Sequence, residues 1–171
     1  IYAIEEHMGS ELATNNDRPS GPIFRFNPAA YWKWRLAEIQ GQPMVQGNHT
    51  YGSSEPQLFY ESEVVKDSAR LQQWKIANAL LGDFRRGEKL AHEVFDVKKM
   101  ASMHALLDLV GGHRSLDWSD VKFYFNPSTN LIEPIGYEST GVNPIDHLGG
   151  SFKSLGRYNV SRLDDYYSNL F

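Results

Sequence analysis

The stretch that decides the fold is residues 115–138, SLDWSDVKFYFNPSTNLIEPIGYE. Residues 121–125 and 131–135 are rich in β-branched and aromatic side chains, which favour strands. The segment between them, NPSTN, has the residue types that favour a turn. The stretch therefore predicts a β-hairpin, and a tight hairpin brings the residues before its first strand close to those after its second strand.

Three acidic residues flank the open end of this predicted hairpin. Asp117 and Asp120 precede the first strand, and Glu138 follows the second strand. We expect these carboxylates to converge, and carboxylate oxygens suit Mg²⁺ or Ca²⁺. A third carboxylate could orient a nucleophilic hydroxyl. Two interpretations remain open on this spacing: a metal and phosphate site, or acids that cap a turn and face solvent.

Composition limits the classes of protein that the chain can represent. Its 171 residues are 41% hydrophobic, enough for one domain with a buried core. The net charge of −4 argues against nucleic acid as the main partner. The absence of cysteine excludes disulfides and thiol nucleophiles. No apolar run is long enough to predict a membrane span. The chain starts within a strand-like run, so we expect it to be a fragment of a longer protein.

The remaining segments predict a mostly helical α+β domain with small strands. The assignments rest on helical spacing of apolar residues and on alternation in the strands. Predicted helices are residues 28–39, 67–81, 83–94, 96–110 and 160–170, with a helical turn at 11–16; predicted strands besides the hairpin are 1–6 and 23–26. Gly82 is expected to end the helix before it, and the wide apolar face of residues 96–110 predicts deep burial. Residues 40–57 are expected to form a loop.

Other residues capable of chemistry give weaker signals. The six histidines are scattered without the helical spacing of a zinc site. His104 lies within an apolar helix and is expected in the core, whereas His113 opens the loop that leads to Asp117. Lys98 and Lys99 are expected on a solvated helix face. The sequence contains no phosphate-binding glycine motif and no serine-nucleophile motif.

Four runs, taken in order, resemble the bacterial CotH-like kinase family, which is named after a spore-coat protein kinase. They are YAIEEH at residues 2–7, RPSGPIFRF at 18–26, FDVKKMASMHALLDLVGG at 95–112, and the hairpin stretch itself. The resemblance implies an atypical protein-kinase-like fold. Residues 1–171 would form a single domain, the large-lobe portion from the hinge strand onward.

The resemblance also implies roles for individual residues. Asp117 falls at the position of the catalytic aspartate, and Asp120 and Glu138 fall where the family holds Mg²⁺. Glu6 would lie at the hinge, beside the adenine of ATP, and His113 in the catalytic loop. This chain carries Asp120 where the family commonly has Asn, and Glu138 where it has Asp. The implied function is Mg²⁺- and ATP-dependent phosphoryl transfer to a protein hydroxyl.

Two further interpretations stay open beside an active kinase. The replacements at Asp120 and Glu138 favour a catalytically degenerate pseudokinase, a binding module on a surface or coat protein. A sugar hydrolase would instead pair Asp117 with Glu133 or Glu138. No glycine-rich loop or strand lysine of a small lobe is present, so the piece by itself is expected to be inactive. The family resemblance implies a protein substrate or partner and an exported or surface-associated bacterial host protein, and it leaves the oligomeric state open.

Overall fold

A computed structural model of the chain describes residues 7–42, 54–110, 112 and 118–137. In chain order the helices are α1 Ser10–Asn15, α2 Ala29–Ile39, α3 Glu61–Val64, α4 Ser68–Arg85, α5 Ala91–Val94 and α6 Val97–Val110. The strands are β1 Ile23–Phe26, β2 Pro56–Leu58, β3 Lys122–Asn126 and β4 Leu131–Ile135. This mixture of helices and a small sheet confirms the α+β class. Among these helices none is both long and apolar enough to cross a membrane.

The four strands form one antiparallel sheet in the order β2-β1-β3-β4. Strands β3 and β4 form the predicted hairpin, with Lys122 opposite Ile135 at its open end and Asn126 opposite Leu131 at its turn. The turn is held by the side chain of Asn126, whose Oδ1 accepts a hydrogen bond from the Ser128 backbone N–H at 2.9 Å. The hairpin prediction is therefore confirmed.

The two faces of the sheet pack against different helices. Strand alternation sends the phenylalanines of β1 and β3 to one face, where they form the main core with α4 and α6. The fully buried members of this core include Phe24, Phe26, Phe123, Phe125, Leu81, Met100 and Leu107. The opposite face carries Ile23 and Tyr124, which pack against Ala13 of α1. The sheet thus lies between two helical layers of unequal size.

Helix α4 runs past the glycine that was expected to end it. Asp67 caps its start as expected, accepting hydrogen bonds from the backbone N–H groups of Ala69 and Arg70. The predicted end at Gly82 is wrong, because the helix continues to Arg85 and buries Phe84 against the core. The chain turns instead near Gly87, whose φ of +71° lies in the left-handed region that favours glycine. The helix predicted over residues 83–94 is accordingly reduced to α5.

Helix α6 begins where predicted, but the buried part of its surface is narrower than predicted. Asp96 precedes it, and its Oδ1 accepts a hydrogen bond from the Lys99 backbone N–H at 3.1 Å. His104 is buried, as expected. Leu106 and Leu109 are more than half exposed, so the prediction of a wide buried face is wrong for the described residues. The reason is geometric, since a helix packed on one edge of a small sheet covers only a narrow stripe of its surface.

Two short elements were not predicted. Strand β2 begins within the expected loop of residues 40–57, and α3 follows it. Pro56 of β2 pairs with Phe26 of β1. Strand β2 lies at the edge of the sheet, where proline is tolerated because its missing N–H can face away from the neighbouring strand. Proline and glutamine in a short run carry no strand signal, so only pairing with β1 explains this strand. The predictions for residues 1–6 and 160–170 fall outside the described ranges.

One glycine allows the loop before β1 to approach the centre of the sheet. A Cβ at Gly21 would lie 2.2 Å from the carbonyl oxygen of Phe125. The adjacent Pro22 carbonyl accepts a hydrogen bond from the Phe125 backbone N–H at 3.0 Å. The loop therefore extends the pairing of β3 beyond β1, and it can do so only without a side chain at residue 21.

Two glycine-to-alanine variants should have opposite effects on stability. Gly21→Ala forces apart two backbone segments and should lower the free energy of unfolding by about 1–3 kcal/mol. Gly82→Ala is the matched control. It lies inside α4, where the nearest atom is the flexible tip of Arg86 at 3.1 Å, and it should raise the free energy of unfolding by about 0.5–1 kcal/mol. Urea unfolding measures both values, and equal effects would contradict the proposed close approach at Gly21.

Candidate functional site

The described part of the hairpin's open end is compact and charged. Trp118 and Ser119 are buried in the turn that leads into β3, and Asp120 is half-buried there. The ammonium of Lys122 donates a hydrogen bond to the backbone carbonyl of Asp120 and lies 4.0 Å from the ring centroid of Tyr137. These contacts join the segment before β3 to the segment after β4.

Of the five predicted site residues, Asp120 alone is among the described residues. Glu6, His113, Asp117 and Glu138 lie outside the described residues. Asp120 lies beside Ser119, whose hydroxyl is 3.4 Å from Asp120 Oδ2. Within the described ranges, no group of three or more histidine, aspartate and glutamate side chains is arranged to hold a metal ion. The predicted partners of Asp120 are among the residues outside those ranges.

A second cation lies beside Lys122 on the same face of the sheet. Arg25 of β1 is directly opposite Lys122 in the strand register. Its guanidinium contacts Gln57 Oε1 at 3.3 Å and lies 5.3 Å from the ring centroid of Phe59. Like charges opposite each other destabilise a sheet. Negative charge near this pair would therefore stabilise the open end of the hairpin.

A separate polar cluster surrounds a buried carboxylate further along the hairpin. Glu133 of β4 is only 4% exposed. Its Oε1 accepts hydrogen bonds from Lys99 Nζ at 2.6 Å and from Asn126 Nδ2 at 2.7 Å. Its Oε2 lies 3.6 Å from Arg18 Nη2, an ion-pair distance. Lys99 also pairs with Asp96 at 3.0 Å, so the cluster joins the loop before β1, helix α6 and the hairpin.

The electrostatics of this cluster favour its charged forms. Burial alone would raise the pKa of Asp96, but hydrogen bonds from Lys99 and the Lys99 charge outweigh it and lower that pKa. Burial likewise would lower the pKa of Lys99, and the carboxylates of Glu133 and Asp96 outweigh it and raise that pKa. Both groups remain ionised near neutral pH, so the half-buried ion pair between them is retained there.

Tyr124 lies directly across the hairpin from Glu133 and is kept as a neutral phenol. Its hydroxyl donates a hydrogen bond to the Pro19 carbonyl. Burial and, second, the negative charge of Glu133 raise its pKa to about 12. The phenol therefore serves as a hydrogen-bond donor that ties the loop before β1 to β3.

Sequence reasoning missed most of this cluster. Glu133 entered only as one carboxylate of the sugar-hydrolase hypothesis, and its suggested partners Asp117 and Glu138 are not among the described residues. Lys99 was expected on a solvated face, and that prediction is wrong, because Lys99 is two-thirds buried and paired with two carboxylates. The available signal was a charged residue in the apolar run LIEPI, since a charge in a half-buried strand usually indicates a paired partner.

Comparison of the chain with protein-family models, with curated proteins and with solved structures gave no match. The kinase resemblance consequently depends on the sequence runs quoted above.

Replacing Tyr124 with phenylalanine should change how stability depends on pH. At pH 7 the lost hydrogen bond to Pro19 should lower the free energy of unfolding by about 1 kcal/mol. The wild-type native state keeps the Tyr124 proton up to a pKa of about 12, whereas the unfolded chain releases it near the ordinary pKa of about 10. Wild-type stability should therefore fall as the pH rises from about 10 to about 12.

The variant has no phenol at residue 124, so its alkaline loss of stability should be smaller. Urea unfolding at a series of pH values measures the difference, and Lys99 contributes equally to both proteins. Identical alkaline slopes in wild type and Tyr124→Phe would show that residue 124 does not hold its proton as described.

Proposed function

We propose that this chain is the large-lobe portion of a CotH-like atypical kinase, with Mg²⁺ and ATP bound at the open end of the β3–β4 hairpin. The proposal combines the ordered resemblance of four sequence runs with one structural observation. That observation is the charged end of the hairpin, where Lys122 is buried and Arg25 lies opposite it. Lys122 and Arg25 give this end of the hairpin positive charge, which would favour the phosphates of a nucleotide bound nearby.

The residue types at this end of the hairpin suit Mg²⁺ and the phosphates of ATP. Asp120 has oxygen ligands for Mg²⁺, and Glu138 would supply another. Lys122 provides positive charge beside them, and its contact with the backbone of Asp120 keeps the turn in place. ATP supplies the phosphoryl group when bound. Asp117 would orient the acceptor hydroxyl and accept its proton.

The alternative is a degenerate kinase-like module that binds a partner on a surface or coat protein and transfers nothing. The Asp120 and Glu138 replacements favour it, because Glu is one methylene longer than Asp and Mg²⁺ tolerates little departure from octahedral geometry. The two functions differ in phosphoryl transfer, so a measurement of transfer separates them.

The test uses the full-length protein with radiolabelled ATP and a mixture of candidate protein substrates that includes the protein itself. We expect Mg²⁺-dependent ATP binding by titration calorimetry and transfer of label to protein. Asp117→Asn should reduce transfer by about 10²–10⁴-fold while nucleotide binding is retained. Asp120→Ala should weaken the Mg²⁺-dependent part of the binding.

Asp67→Asn is the control, since it changes an acid at the start of α4 to another good capping residue. It should leave binding and transfer unchanged. ATP binding without transfer would overturn the active kinase and support the degenerate module. No heat change with ATP and Mg²⁺ at millimolar concentration would overturn the nucleotide site altogether.

A further inference from the structure

A cavity of about 350 Å³ lies on the face of the sheet that is covered by α1. This is the size range of small-molecule sites in proteins. Its walls come from α1, the loop before β1, the first residue of β1, the first turn of α6, and strands β3 and β4. The lining residues with polar atoms are Asn16, Arg18, Lys99, Tyr124 and Glu133. The cavity does not involve the residues of the proposed kinase site.

Glu133 gives this cavity a buried acceptor. Its side chain is 5% exposed, and Oε1 already accepts hydrogen bonds from Lys99 and Asn126. The contact of Oε2 with Arg18 is longer, at 3.6 Å. A carboxylate oxygen has two lone pairs, so Oε2 can accept a hydrogen bond from a cationic or neutral donor within the cavity.

Arg18 gives the same cavity a donor that can move. Its side chain is 39% exposed, in contrast to the buried Glu133 that it faces. An exposed side chain changes rotamer rapidly. Its guanidinium has a fork of N–H donors that matches a carboxylate. Arg18 can therefore turn from the long contact with Glu133 to a ligand carboxylate at the rim.

The charges around the cavity balance. Arg18 and Lys99 carry positive charge, and Glu133 and Asp96 carry negative charge, with contacts that connect all four. A ligand with net charge would leave one of these half-buried groups without compensation, which is unfavourable. A ligand with one positive and one negative group keeps the balance and can use both Glu133 and Arg18.

The remaining wall is aliphatic. Its apolar side chains are Leu12, Ala13, Ile23, Pro134 and Ile135. Saturated side chains of this kind suit a branched aliphatic group. Apart from Tyr124, whose 5% exposure leaves little ring surface, the described lining contains no aromatic side chain on which a sugar ring could stack.

We propose that this cavity binds a small zwitterion, an α-amino acid with an aliphatic side chain. The ligand ammonium donates to Glu133 Oε2, the ligand carboxylate accepts from Arg18, and the side chain packs against Leu12 and Ile135. The proposal is independent of the kinase function, because it uses different residues on a different part of the sheet.

Titration calorimetry of the 171-residue chain with L-leucine tests the proposal directly. Leucinamide lacks the carboxylate and 4-methylpentanoate lacks the ammonium, so each removes one half of the zwitterion. We expect leucine to bind at millimolar concentration or below, and each analogue to bind about tenfold more weakly or worse. Equal binding of either analogue, binding of glucose in place of leucine, or no binding of leucine would overturn the proposal.

Two variants test whether leucine binds in this cavity. Arg18→Gln removes an exposed guanidinium and should weaken leucine binding by about tenfold or more. Arg35→Gln is the matched control, because Arg35 is also exposed and ion-paired, at 47% exposure on α2, and it should bind leucine as the wild type does. Undiminished binding in Arg18→Gln would overturn the assignment.

Glu133→Gln tests the ammonium contact, with circular dichroism used to establish that the variant folds. We expect it to lose leucine binding and to keep its far-ultraviolet spectrum. Should this variant fail to fold, the Arg18→Gln and analogue measurements decide the matter without it.

Discussion

Burial of β3 on both faces is the constraint on which the rest of the described structure depends. All five of its residues are buried. Strands β1 and β4 pair with its two edges, which satisfies its backbone hydrogen bonds without water. Helices α4 and α6 cover its phenylalanine face, and α1 covers the other face. The hairpin is consequently at the centre of the part of the chain that the structure describes.

The hydrogen bonds of the polar residues in β3 follow from the same burial. Lys122, Tyr124 and Asn126 alternate with the two phenylalanines, so they all lie on the face covered by α1. A buried polar group is costly unless it is hydrogen-bonded. Each of the three is paired, with the Asp120 carbonyl, the Pro19 carbonyl and the Glu133 carboxylate respectively. Both candidate sites lie along this row, one at its open end and one around Glu133.

The two candidate sites differ in how far local sequence could predict them. Local sequence predicted that the acids around the hairpin share an end, because a turn and two strands fix which residues lie there. Asp120 is the one described member of that set, so the convergence stays a prediction. The Glu133 cluster was missed because its members are far apart along the chain: Arg18 lies in a loop, Lys99 on α6 and Glu133 on β4. No periodicity in the sequence relates these positions, and only the packing of α6 on the hairpin brings them within contact distance.

The same distinction holds for the secondary structure. Local signals determined α2, β1, α4, α6 and the hairpin, because spacing of apolar residues, the Asp67 and Asp96 caps and the NPSTN turn act within a few residues. Tertiary structure alone decided that α4 continues through Gly82, since burial of Phe84 outweighs the weak helix propensity of one glycine. It also made Pro56–Leu58 a strand and Lys99 a partner of Glu133. These outcomes depend on which segments pack against each other, and local sequence patterns do not predict that packing.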